Sequence, residues 1–85
     1  MTFDGAVVRE RGVTFAIAVV NANVLQLPSE RDALQMRMSL LFRVPTVLMA
    51  QDSWGRPTYW GRRDIVNFLS GVDPSRIPWR RYTLS

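Results

Sequence analysis

An 85-residue chain with 47% apolar residues is sized for one folded domain, residues 1–85, and buries only about two-thirds of the surface its unfolded chain exposes. It has no cysteine, histidine or lysine; all eleven basic groups are arginines, set against seven acids for a net charge of +4. Disulfides, the commonest general base, the Schiff-base amine and the softer metal ligands are thereby excluded, and no cofactor or metal is expected.

The amino terminus, MTFDGAVVRER, carries an acid where a secretory signal carries base, and no long apolar stretch follows it. The longest apolar run, Val13 to Val20, is far shorter than the roughly twenty residues of a spanning helix. A cytoplasmic protein without a membrane partner is expected. Ala6 to Glu10 reads as a short strand, Arg11-Gly12 as a turn, and Val13 to Val20 as the returning strand of a hairpin. Along that run Val13, Phe15, Ile17 and Val19 share one face and Thr14, Ala16, Ala18 and Val20 the other. Both faces are fit for burial, which places the strand in the middle of a sheet.

The stretch NANVLQL reads as irregular. In LPSERDALQMRMSLLF, Ser29 is placed to cap a helix, with Asp32 three residues on as in a capping box and Glu30 at the positive end of the dipole. The pattern predicts a helix from about Ser29 to Phe42, at helical spacing, with two apolar stripes. Leu34, Met38 and Leu41 form one and dock on the sheet; Ala33, Met36 and Leu40 form the other and are candidates for an interface with a second copy. VPTVLMAQ, residues 44–51, is the next strand, DSWG a turn, and Arg56 to Trp60 the strand that returns. Pro57 cannot donate to a ladder, so this strand is an edge strand or a short one. A second helix is predicted over about Arg62 to Ser70, with Ile65, Phe68, Leu69 and Val72 on one face, Gly71 as its C-cap and Pro74 preventing a restart. The tail RIPWRRYTLS is extended, fit for an edge strand, a docking arm or an element exchanged between subunits.

The order is therefore β-β-α-β-β-α plus an extended tail. The expected fold class is α/β (α+β), a mixed four- to five-stranded sheet with two helices and a parallel pair across the first helix. From Val44 to Leu69 the chain resembles the second half of a thioredoxin-like domain, in its Val-Pro-Thr strand, hairpin and helix. The dithiol of that family is absent and a single crossover helix implies the other strand direction, so no function is carried over.

Charge is uneven: residues 1–55 balance five arginines with five acids, whereas residues 56–85 set six arginines against Asp64 and Asp73. In SWGRPTYWGRRD, residues 53–64, a Trp-Gly-Arg triplet recurs, and Arg62 and Arg63 stand at a helix start, where cations are unfavourable. A phosphate or carboxylate held by free N–H groups and guanidinium forks would offset them, as would Asp64 and Asp52 from within the chain. Aromatic rings interleave with arginine again at Trp79, Arg80, Arg81 and Tyr82. Trp54, Arg56, Trp60, Arg62, Arg63, Trp79, Arg80 and Arg81 are thus the candidates for an anion or single-stranded nucleic-acid surface, where rings stack on bases and cations meet phosphate. The same residue types anchor protein interfaces. The acids are placed at helix starts and turns, where they have structural work, and no catalytic pair is assigned. The expectation is a small non-catalytic interaction module that self-associates, most simply as a dimer, with a protein or anionic partner.

Overall fold

Strand β2 (Val13–Val19) forms where the sequence alternates two buried faces, and it lies at the centre of the sheet. In the computed structural model, which describes residues 1–84, it pairs antiparallel with β1 (Thr2–Glu10) through the Arg11-Gly12 turn and parallel with β3 (Thr46–Gln51). Both turn residues have positive φ, 52° and 80°, the geometry of the two-residue turn that matches strand twist. Strand β4 (Pro57–Trp60) closes one edge beside β3, and β5 (Arg80–Thr83) closes the other beside β1. The order is β4-β3-β2-β1-β5, a five-stranded mixed sheet. The tail is therefore an edge strand through Thr83, and Ser85 lies outside the described residues. The parallel β2–β3 pair has the direction implied by a single crossover and opposed to the thioredoxin-like arrangement.

Helices cover both faces. On one, α3 (Arg63–Leu69) lays Ile65 and Leu69 over Ala6, Phe15, Ile17, Val47 and Met49, with Ile77 after a short 3₁₀ turn, Pro74–Arg76. On the other, α2 (Pro28–Phe42) lays Met38 over Phe3, Ala18 and Leu48. Ala16 and Ala18, both fully buried, leave room for α2 to approach. Phe42 packs edge-on against Phe3 and Tyr82, at 6.1 and 5.0 Å between centroids, while Phe3 and Tyr82 stack at 5.6 Å.

The structure corrects the sequence reading at several places. NANVLQL holds one helical turn, α1 (Ala22–Leu25), capped by Asn21, whose side chain accepts from the Asn23 N–H. Helix α2 begins at Pro28 after Leu27, with no side-chain cap. Proline has the right φ for a first helical position and no N–H to satisfy there, so the helix starts ahead of Ser29 and the Ser29–Asp32 box does not form. Leu41 is 41% exposed, and Phe42 takes its place on the sheet, because the aromatic cluster with Phe3 and Tyr82 lies on that side. Strand β1 starts at Thr2, four residues earlier than its apolar run, since Phe3 and Asp4 gain partners on β5. Ser70, not Gly71, caps α3, and Gly71 has no positive φ.

Gly61 shows how closely β4 runs beside β3. A Cβ there would stand 2.6 Å from Val47 Cγ1 and 3.1 Å from Val47 Cα, at a φ of +156°. The Val47 methyl is branched directly from a fully buried backbone and cannot swing aside as the tip of a long side chain does. Gly61→Ala is therefore expected to lower unfolding free energy by about 2 kcal/mol, read from chemical denaturation. A variant as stable as the parent would mean that β4 shifts freely on β3.

Candidate functional site

The β3–β4 hairpin builds its tip on one carboxylate. Asp52 Oδ1 accepts from the N–H groups of Trp54 and Arg56, both at 2.9 Å, and Oδ2 accepts from Arg56 Nε at 2.8 Å. The backbone closes the turn through Gly55, whose φ of 80° suits glycine. Trp54 is held on this frame and left 79% exposed, with the Arg56 guanidinium 5.1 Å from its ring centroid. The Arg56 N–H, with help from the Arg56 side chain and the Trp54 N–H, holds the Asp52 carboxyl below its ordinary value.

Trp60, two residues beyond Thr58 on the same face of β4, is half-buried on the α2 side of the sheet, and Arg31 lies over it at 4.3 Å. The cations at the start of α3 have an internal answer. Arg62 forks onto Asp64 with two bonds of 2.8 Å, and Asp64 also accepts from the Ile65 N–H at 3.0 Å. The guanidinium is the main reason the Asp64 carboxyl is lowered. Arg63 is exposed and has no ion-pair partner among the described residues.

Trp79, Arg80 and Arg81 lie elsewhere. Trp79 is half-buried against the α3 core and donates its indole N–H to the Pro74 carbonyl at 2.9 Å. Arg80 is exposed on β5, and Arg81 pairs with Asp4 of β1 at 3.0 Å. Strands β4 and β5 are opposite edges, separated by four strand spacings, about 19 Å. The eight candidates therefore fall into two groups, one at each edge, and three of their five arginines, Arg56, Arg62 and Arg81, are paired with an acid of the same chain. Of the three indoles, Trp54 alone among the described residues is exposed.

Two hollows were not legible in the sequence, and the second lies beside a stripe that was. A cavity of about 210 Å³ opens between the β1–β2 turn and the start of α3, lined by Glu10, Arg11, Val13, Phe15, Asp64, Ile65 and Phe68. Its floor is apolar, with Phe15 and Phe68 edge-to-face at 6.2 Å. Only the sheet order and the docking of α3 bring these segments together, so no local signal announces it. The outer side of α2 holds the second. The predicted stripe of Ala33, Met36 and Leu40 is exposed, Met36 at 65% and Leu40 at 73%. A groove of about 270 Å³ runs beside it, lined by Val24, Glu30, Ala33, Leu34 and Arg37.

Fold and surface define a small mixed α+β domain. Set against described protein families, curated proteins and solved structures, the chain matches none of them. Among the described residues no helix is long and apolar enough to cross a membrane.

Two outcomes follow from the site. Acrylamide should quench Trp54 fluorescence strongly and Trp60 and Trp79 weakly, so Trp54→Phe removes most of the quenchable emission; equal quenching before and after substitution would contradict the placement of the rings. The second concerns acid. Asp52, Asp64 and Asp73, the last lowered mainly by the Ser75 N–H, have folded-state values below the ordinary 3.8. Their contribution to stability is complete above the unfolded value and is lost as pH falls through the folded ones. Carboxyl-carbon NMR titration should place all three midpoints below 3.8.

Proposed function

We propose that the chain is a small non-catalytic interaction module that self-associates, as a dimer in the simplest case, and offers arginine and aromatic groups to a protein or anionic partner. The observation that carries this reading is the outward apolar ridge of α2. Single exposed apolar residues are ordinary on a protein surface, but an aligned set on one helix face is the usual mark of an interface.

Structural roles for five of the seven acids support the non-catalytic part. Asp4, Asp32, Asp52 and Asp64 are each paired with an arginine, and Asp73 caps the 3₁₀ turn. Asp52 and Asp64, the pair whose meeting would have suggested acid–base work, serve separate local structures. Edge pairing is a poor route to association here. Strand β4 begins with Pro57 and β5 carries Arg80 and Arg81, both devices that blunt an edge. A nucleic-acid partner would find the exposed Trp54–Arg56 tip as its stacking platform, a single ring where such sites use several.

Light scattering at tens of micromolar concentration tests the reading: the expected mass is twice the 9.8 kDa of the chain, and Leu40→Arg is expected to return it to the monomer value. A parent chain that stays at the monomer mass over this range would refute self-association.

A further inference from the structure

We infer that the second copy docks through α2 in an antiparallel two-fold pairing, with the strips of Ala33, Met36 and Leu40 packed on each other and Glu30 of each copy facing Arg37 of the other. The inference rests on the self-association reading above and names its geometry.

Ala33, Met36 and Leu40 follow one another at intervals of three and four residues, so they line a single strip along the helix. Glu30 and Arg37 stand two turns apart on one flank of that strip. Both are exposed, and neither has an ion-pair partner among the described residues. The groove that these two residues share with Val24, Ala33 and Leu34 lies on the same flank. A two-fold axis perpendicular to the helices keeps each flank on its own side, so the apolar strip of one copy meets the strip of the other and the Glu30–Arg37 flank of one meets the same flank of the other. Ala33 has the small side chain that lets two helix backbones come close, and Met36 of each copy is flexible enough to pack over Ala33 of the other.

Charge selects the direction and the partner. An antiparallel register that opposes Ala33 to Met36 also brings Glu30 of each copy near Arg37 of the other, giving two equivalent pairs. A parallel two-fold would send the two Glu30–Arg37 flanks to opposite sides of the contact, where neither charge meets its opposite. An anionic polymer or membrane surface fits this helix badly, because Glu30 and Asp32 face outward on its first turns. A second copy of the chain matches both signs. One fifteen-residue helix meeting its twin makes an interface at the small end of the range, so weak, concentration-dependent association is expected.

Sedimentation equilibrium of the full chain at low salt provides the test, with circular dichroism to confirm that each variant is folded. Glu30→Arg alone and Arg37→Glu alone each replace two attractive contacts by two repulsive ones, and each should weaken the dimer about tenfold or more. The double variant restores opposite charges in reversed order and should return the dissociation constant to within about threefold of the parent. These differences should shrink in high salt. A parent dimer whose affinity ignores the single reversals, or a double variant as weak as the two losses combined, overturns this pairing while leaving self-association through another face. A monomeric parent overturns both.

Discussion

Strand β2 is covered on both faces over Phe15, Ala16, Ile17 and Ala18, all essentially inaccessible, and this double burial sets the rest of the architecture. Its backbone groups need ladders on both sides, which β1 and β3 supply. Its side chains need cover above and below, which takes α2 on one face and α3 on the other. A chain of this length has nothing left for a further layer. Helix α2 must span the sheet to bring β3 back parallel to β2, and that span requires fifteen residues, of which Met38 alone among the described ones is buried. An uncovered outer face is thus built into the crossover, and the residues placed there decide whether the face meets only water.

With arginine as the sole cation, the charged groups work mostly over short distances. Arg31 with Asp32, Arg56 with Asp52 and Arg62 with Asp64 are each within four positions, and Arg81 with Asp4 joins β5 to β1. Exposed pairs such as these add little to stability. Their effect is to fix direction: Arg56 is held beside the Trp54 ring, and Arg62 is turned onto its own helix start rather than outward. The core has one loose end as well. The Tyr59 hydroxyl is buried without a hydrogen-bond partner, and burial pushes its pKa up, a cost tolerated for a ring that packs beside Met49 and Val47.

Period and breakers carried most of the fold into the sequence. The alternation of Val13 to Val20 marked the central strand, Pro57 marked an edge, and Ile65, Phe68 and Leu69 marked the buried face of α3, which ends before Val72. The errors came where a local rule competed with another or with tertiary contact. Pro28 outranked Ser29 as the helix start, and Phe42 outranked Leu41 because Phe3 and Tyr82 lay within reach. The candidate surface was less legible. Interleaved rings and arginines are close in sequence, but the sheet order sends Trp60 and Trp79 to opposite edges and half-buries both. The pairing of β5 with β1 rests on Phe3 with Tyr82 and Asp4 with Arg81, residues almost the whole chain apart, and no periodicity reports that.

The manner of closure separates the two ways such a domain can meet its own kind. Pairing by sheet edges can join β4 of one copy to β5 of the next, a head-to-tail contact that leaves a fresh edge at each end and need not stop. Pro57 on one side and Arg80 and Arg81 on the other stand against it. Pairing through α2 uses the same strip twice, so the second copy consumes the surface that the first exposes and the assembly ends at two. Under the proposed self-association, Met36 and Leu40 in solvent beside two guarded sheet edges fit a closed pair better than a filament.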